Sequence, residues 1–171
     1  MTLKSSFMPK KRGGWKGMTY KDLQEEIDAA LKAGGLDLLE FSLVRHKGGG
    51  LHVKAVIYRT EGTGTDECAK AYRLILPRIQ MALGVQDPYI EVYSPGIDRA
   101  IRTEREWIAF KNCYIKFMTS ESHDWKKGRI IHFDNKKVQI EMDDTILNIP
   151  IASIIKAKLD SFREGEKVHG I

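Results

Sequence analysis

The first folded element of the chain is predicted from apolar residues at helical spacing. A helix is predicted to begin after Thr19, a good N-cap with Asp22 at the capping-box position, and to end at Gly34-Gly35. Its apolar face consists of Tyr20, Leu23, Ile27 and Leu31. Residues 38–46 and 51–59 read as two strands, which a glycine-rich loop joins into a hairpin.

A second helix and a short strand complete this first region. The helix is predicted to begin at Thr65, and its apolar positions recur at helical spacing as Tyr72, Leu76, Ile79 and Leu83. Pro77 lies inside it, and we expect a kink there because proline has no N–H to donate. Tyr89 to Tyr93 alternates polar and apolar residues, as a half-buried strand does. The order α-β-β-α-β predicts an α+β unit with both helices on one face of a three-stranded sheet.

After Arg102 the pattern changes to short strands separated by tight turns. One helical turn is predicted over residues 103–110, and Asp134-Asn135 and Asp143-Asp144 are typical hairpin turns. The predicted strands are residues 113–118, 128–133, 137–142, 146–149 and 154–159. Five short strands are too few for a sandwich but enough for a small closed barrel.

The segment between the two regions combines a rigid turn with a pair of opposite charges. Ser94-Pro95-Gly96 ends the strand, because proline fixes φ and glycine can take positive φ. Asp98 and Arg99 follow directly. Such a pair orders a turn or bridges two domains, and the less favoured interpretation is a general acid/base element. Physical chemistry alone therefore indicates a strand exit that leads to an interdomain hinge.

The same segment resembles a family signature. Val92-Tyr-Ser-Pro-Gly-Ile-Asp-Arg-Ala-Ile101 is similar to the V-S-S-P-G-L-D-R-P-L string of the ribosome maturation factor RimP family. Asp66-Glu-Cys-Ala-Lys-Ala-Tyr-Arg73 resembles the family's D-C-A…R helix, and Asp87-Pro88 stands where its D-P enters the signature strand. Residues 149–159 resemble its closing I-P-L-x-x-I-x-K-A-x-L, so that the likeness covers about residues 19–162 in order.

Three departures accompany this resemblance. Tyr93 replaces a small residue, Ala100 replaces the second proline of the signature, and Pro77 interrupts the second helix. None of them removes a charged residue of the motif. The resemblance implies an SH3-like or Sm-like barrel in the second region. It also implies a factor that contacts a small-subunit ribosomal protein through that barrel, and ribosomal RNA nearby.

Charge is concentrated at the start of the chain. Of 171 residues with a formal net charge of +5, the first 17 hold five basic and no acidic residues, so the rest of the chain is neutral. Such an arm cannot bury enough to fold alone. We expect it to contact RNA phosphates, with the aromatic ring stacked on a base, through Lys10, Lys11, Arg12, Trp15 and Lys16. The alternative is a solubilising tail that contacts nothing.

Motifs for bond chemistry and for cofactors are not found in the sequence. Cys68 and Cys113 form no C-x-x-C pair, and the histidines lack the spacing that a metal site needs. No phosphate-binding loop occurs, and we expect neither a cofactor nor a metal. An enzyme is therefore disfavoured. No apolar run approaches the ~20 residues that span a bilayer, and no secretory signal is recognised, so we expect a cytoplasmic protein.

Binding chemistry is expected in the longest predicted loop, residues 119–127. An aromatic residue among lysines suits contact with RNA or with a protein bound to RNA, and the candidates are Trp125, Lys126, Lys127 and Arg129. The alternative is a solvated face with one tryptophan.

The sequence thus predicts a basic arm and two domains that each close their own core. The boundaries are residues 1–17 for the arm, 18–93 for the α+β domain, 94–102 for the junction and 103–171 for the barrel. The function expected is that of a monomeric, non-catalytic assembly factor that binds the immature small (30S) ribosomal subunit. A general RNA-binding protein of the KH-plus-Sm type is the alternative, and a protein-binding adaptor is third.

Overall fold

The computed structural model of the chain describes residues 17–160. Its elements are α1 (Tyr20–Ala33), β1 (Asp37–Arg45), β2 (Leu51–Tyr58), α2 (Thr65–Leu83), β3 (Tyr89–Tyr93), α3 (Glu104–Ala109), β4 (Tyr114–Thr119), β5 (Ser122–Asp134), β6 (Lys137–Met142), β7 (Thr145–Pro150), a 3-10 helix (Ile151–Ser153) and β8 (Ile154–Leu159). Two sheets and three α-helices confirm the α+β class. Within the described range, no helix is long and apolar enough to cross a membrane.

Helix α1 begins as its sequence predicts. The Thr19 hydroxyl accepts a hydrogen bond from Asp22 N at 3.2 Å, and the Asp22 carboxylate accepts one from Thr19 N at 2.7 Å. These two bonds form a capping box, which satisfies two N–H groups that the helix leaves without a partner. The bonds from the Thr19 backbone and side chain lower the pKa of Asp22. The buried face of the helix is Leu23, Ile27 and Leu31, as predicted except for the exposed Tyr20.

Helix α2 is continuous from Thr65 to Leu83, with Pro77 inside it. Its buried residues are Ala71, Ile75, Ile79 and Leu83, so the predicted Ile79 and Leu83 are confirmed. Tyr72 is 39% exposed. The first two predicted positions are each one residue too late, because the large residues Tyr72 and Leu76 were preferred to the small Ala71, which lies on the face toward the sheet.

The N-terminal sheet (β1–β3) has the strand order β1-β2-β3. Strands β1 and β2 are antiparallel, whereas β3 runs parallel to β2 and is reached through α2, the crossover that a parallel pair requires. Helices α1 and α2 both contribute to one hydrophobic core against this sheet, together with Leu38, Phe41, Leu51, Val53, Ala55 and Ile57. The opposite face carries no helix of this core.

The C-terminal sheet (β4–β8) has the strand order β7-β6-β5-β4-β8, with antiparallel neighbours throughout. Five strands are present as predicted, and β8 returns to pair with β4. Within residues 17–160 no pairing joins β7 to β8, so the closed barrel is not confirmed. Two hairpins turn through pairs of residues with positive φ, Asn135-Lys136 and Asp143-Asp144, as type I′ turns require.

The predicted loop over residues 119–127 is not a loop. Strand β5 already begins at Ser122 and pairs with β4 through Lys127 opposite Lys116 and Lys126 opposite Phe117. Trp125, Lys126 and Lys127 are therefore strand residues. The sequence pattern failed here because this arm of the hairpin is largely exposed on both faces, so that no apolar alternation marks it.

Gly128 on β5 lies directly against Ile140, Glu141 and Met142 of β6. A Cβ atom on Gly128 would lie 2.8 Å from Glu141 O and 3.0 Å from Met142 Cγ, and it would also overlap Ile140. We expect Gly128→Ala to lower the free energy of unfolding by about 1–3 kcal/mol, because backbone must shift to admit the methyl group. Urea denaturation measures this. Gly50→Ala is the matched control, since a Cβ there meets nothing within 4 Å; an equal effect of both changes would contradict the packing argument.

A second hydrophobic core joins the two regions. Leu39 and Val56 of the N-terminal sheet pack with Trp107 and Phe110 and with the inner face of the C-terminal sheet. The inner residues of that sheet are Ile115, Phe117, Ile130, Val138, Ile140 and Ala157. The expectation that each region closes its own core is therefore not met, because the helix-free face of the N-terminal sheet forms part of the second core.

Candidate functional site

The segment after β3 makes a tight turn around Ile97 and Asp98. Gly96 O accepts a hydrogen bond from Arg99 N at 3.1 Å, which closes the turn. Gly96 does not have positive φ, and a Cβ atom there would meet nothing within 4 Å. Gly96 therefore does not use the left-handed conformation that glycine permits, and it is needed neither for its φ nor for space.

Arg99 points inward from this turn and is 14% exposed. Its Nε and Nη2 donate to Glu106 Oε1 at 2.8 and 2.6 Å, and Nη2 also donates to Glu40 Oε1 at 2.6 Å. Glu40 lies on β1 and Glu106 on α3. One guanidinium therefore ties the N-terminal sheet to the first helix of the C-terminal region.

Glu106 is the buried centre of this junction, with an exposed fraction of 2%. While Oε1 accepts from Arg99, Oε2 accepts from Arg102 N at 2.7 Å, from Thr103 N at 3.0 Å and from Thr103 Oγ1 at 3.2 Å. A buried carboxylate is tolerated when it is paired and fully hydrogen-bonded, as here. Sequence reasoning missed Glu106, although Thr103-x-x-Glu106 is a capping-box spacing and was a usable signal.

Asp98 holds the same turn to the C-terminal sheet. Its carboxylate pairs with Lys116 on β4 at 2.9 Å and with Lys158 on β8 at 3.1 Å. The hydrogen bonds from Lys116 and then Lys158 lower the pKa of Asp98. Backbone hydrogen bonds also join this segment to β8: Leu159 N donates to Arg99 O, and Ile101 N donates to Ala157 O, both at 2.9 Å. Asp98 thus holds the turn to the C-terminal sheet, whereas Arg99 joins it to β1 and α3.

The outer face of the C-terminal sheet, opposite the core, carries a row of lysines. Lys158, Lys116 and Lys127 are direct partners across β8, β4 and β5 and therefore share this face. Asp98 pairs with the first two, and Lys127 pairs with Asp160 at 3.1 Å. These acids offset the repulsion that adjacent like charges would cause.

The predicted binding residues Trp125, Lys126, Lys127 and Arg129 divide between the two faces. Strand alternation places Trp125, Lys127 and Arg129 on the outer face and Lys126 on the face of Phe117. Trp125 is 45% exposed, while Arg129 donates from Nε and Nη2 to Glu141 Oε2 at 2.9 and 2.7 Å. The structure therefore brings Trp125, Lys127 and Asp98 to one surface, and Arg99 turns away from it.

The two cysteines and the basic arm complete the set of predicted residues. Cys68 and Cys113 are both free thiols and partly buried, and Cys113 Sγ lies 3.0 Å from the Tyr58 hydroxyl. Burial raises the pKa of both thiols. The arm residues Lys10, Lys11, Arg12, Trp15 and Lys16 lie outside the described residues.

Comparison with known proteins identifies the family. No protein-family model matches the chain. A protein of Nostoc sp. (strain PCC 7120 / SAG 25.82 / UTEX 2576), named ribosome maturation factor RimP, is 32% identical over 103 residues. The matched part is 58% of this chain and 67% of that protein. The chain belongs to the RimP family, and the resemblance in its sequence is confirmed.

Proposed function

We propose that this protein is a non-catalytic maturation factor that binds the immature small (30S) ribosomal subunit in the cytoplasm. Membership of the RimP family carries the proposal, since the Nostoc relative is named a ribosome maturation factor. The binding partners proposed are a small-subunit ribosomal protein and ribosomal RNA. The protein acts as a monomer, without a cofactor or a metal.

The geometry of the junction favours a structural role for its charged pair. Asp98 is engaged by two lysines and Arg99 by two carboxylates, so neither side chain is aimed at an open cleft as an acid/base group would be. We infer that Ser94, Pro95, Asp98 and Arg99 set the relative position of residues 18–93 and 103–171. The two regions then present their surfaces to the ribosomal particle in a fixed arrangement.

We infer further that the C-terminal sheet corresponds to the SH3-like or Sm-like barrel of the family and contacts the ribosomal protein. The return of β8 to pair with β4 supports this, because a small barrel needs its last strand beside its first. The exposed Trp125 beside Lys127 on the outer face supplies the aromatic anchor that protein interfaces favour.

Sedimentation tests the proposed function. In a gradient of cell extract, the tagged full-length protein is expected to migrate with free small subunits and not with complete ribosomes. Migration with many RNA species would instead identify the general RNA-binding protein of the KH-plus-Sm type. Retention at the top of the gradient would identify a non-ribosomal adaptor, and either result would overturn the proposal.

Trp125→Ala is expected to weaken binding to the small subunit by at least about tenfold, because aromatic anchors concentrate interface energy. The melting temperature should stay unchanged, since the ring is largely outside the core. Tyr72→Ala, which truncates an exposed ring on α2, is the matched control and should bind as the wild type does. A large drop in the melting temperature of Trp125→Ala would show that Trp125 is a core residue and would refute the assignment.

Deletion of residues 1–17 is expected to reduce the salt dependence of subunit binding. If all five basic residues meet phosphates, the slope of log affinity against log salt falls by roughly 3–4. Titrations of the full and the shortened protein at several salt concentrations give the two slopes. Equal slopes would identify the arm as a solubilising tail.

A further inference from the structure

The helix-free face of the N-terminal sheet is only partly covered. Its end at Leu39, Val56 and Tyr58 packs into the second core, whereas the rest of the face is open. Strand alternation and register place a set of largely polar and aromatic side chains on this open part: Val44, His52, Lys54, Tyr89, Glu91 and Tyr93. Tyr89 is 64% and Tyr93 43% exposed, which is unusual for two large rings on one short strand.

The rings on this face form a connected row. The His52 ring centroid lies 5.0 Å from that of Tyr89, and His46 stacks on His52 at 6.1 Å with an interplanar angle of 17°. Lys54 Nζ lies 5.3 Å from the centroid of the Tyr93 ring. The exposed faces of these rings are platforms on which planar groups can stack.

Glu91 holds the row in place. Its Oε2 lies 2.7 Å from His52 Nε2, and its Oε1 accepts a hydrogen bond from the Tyr89 hydroxyl at 3.2 Å. The hydrogen bond from His52 is the main cause that lowers the pKa of the Glu91 carboxyl, so the group is ionised at neutral pH. The rings are thus arranged before any ligand binds, which reduces the entropic cost of binding.

Two lysines lie along this row. Lys54 is the register partner of Glu91 and so shares the open face, and Lys47 lies in the hairpin loop between β1 and β2. Arg45 shares the helix-covered face with Leu51, and Arg59 pairs with Glu61 and Glu67, so the positive charge at the open face comes from Lys54 and Lys47. Aromatic rings next to basic side chains suit single-stranded nucleic acid, because bases stack on the rings and the basic groups attract the phosphates.

We propose that this open face binds single-stranded RNA. Bases stack on Tyr89, Tyr93 and His52, and the RNA backbone runs along Lys54 and the β1–β2 hairpin. A protein partner fits less well, because Val44 is the only aliphatic side chain on the open part of the face. This inference rests on the proposed function, since it names ribosomal RNA in a single-stranded state as what the N-terminal region contacts on the immature subunit.

Fluorescence anisotropy with a labelled oligouridine of about ten nucleotides tests the proposal on the full-length protein. Tyr89→Leu and Tyr93→Leu are each expected to raise the dissociation constant by about fivefold or more, the effect of losing one stacked base. Tyr89→Phe and Tyr93→Phe retain the ring and should bind within about twofold of wild type. Tyr72→Leu removes an exposed tyrosine on α2 and is the matched control.

Unchanged affinity of Tyr89→Leu and Tyr93→Leu, with melting temperatures equal to that of wild type, would overturn the proposal. Equal affinity of the wild-type protein for a duplex RNA would also overturn it. So would variants at Tyr89 and Tyr93 that lose binding to a purified ribosomal protein but keep binding to the oligonucleotide. The assay contains no ribosomal subunit. Its failure therefore leaves co-migration with small subunits intact, and the two proposals fail separately.

Discussion

Arg99→Ala is expected to lower the free energy of unfolding by about 3–5 kcal/mol, because it leaves the Glu106 carboxylate buried without its cation. The three hydrogen bonds from Arg102 and Thr103 to the other oxygen remain, but they do not neutralise the charge. The cost is therefore that of an uncompensated buried charge rather than that of one lost surface ion pair. Urea denaturation of the full-length protein measures it.

Two further variants separate the contributions at this junction. Glu40→Gln removes the exposed partner of Arg99 and should cost only about 0–1 kcal/mol, as exposed ion pairs do. Arg99→Lys keeps the charge but cannot reproduce the planar fork that reaches both carboxylates, so its stability should lie between those of wild type and Arg99→Ala. If Arg99→Ala costs no more than Glu40→Gln, Glu106 does not depend on Arg99.

The same variant tests the hinge role of the junction. We expect Arg99→Ala to alter the small-angle scattering profile and to reduce binding to the small subunit, because Arg99 joins β1 to α3. An unchanged profile with lost binding would instead favour direct contact between Arg99 and the particle. Gly96→Val is a control at the same turn: it should change neither property, since Gly96 has no positive φ and open space around it.

Local signals in the sequence predicted much of this fold. The capping box at Thr19 and Asp22 placed the start of α1, and alternation placed β3 at Tyr89–Tyr93 without error. The signature also directed attention to Asp98 and Arg99, which do connect the two regions. These features depend on neighbours within a few residues, so that a pattern along the chain contains them.

Features that depend on distant partners could not be predicted. Arg99 and Glu40 are 59 residues apart, and Asp98 and Lys158 are 60 apart, so neither pair leaves a trace in local spacing. The first half of β5 was predicted as a loop because its sequence is polar. Its pairing with β4, which the sequence does not show, makes it a strand. The shared core was missed for a similar reason: Leu39 and Val56 look like ordinary strand residues until the second sheet covers them.

Phe110→Ala has the second large effect that we expect, a loss of about 3–5 kcal/mol in the free energy of unfolding. Phe110 is fully buried, and its ring meets the Tyr58 ring of the N-terminal sheet edge-on at a centroid distance of 4.9 Å. The cavity would therefore open between the two regions rather than inside one of them. Ile108→Ala, on α3 two residues before Phe110 but exposed, is the matched control and should stay within about 0.5 kcal/mol of wild type.

The shape of the unfolding transition then tests whether the shared core couples the two regions. Far-UV circular dichroism reports mainly on α1 and α2, whereas the fluorescence of Trp107 and Trp125 reports on the C-terminal region. Because Leu39, Val56 and Phe110 belong to one buried cluster, we expect both signals to shift together in Phe110→Ala and to keep one midpoint. If fluorescence changes at lower urea while the helical signal keeps its wild-type midpoint, the regions unfold independently. The Arg99 junction, rather than the core, would then be what holds them together.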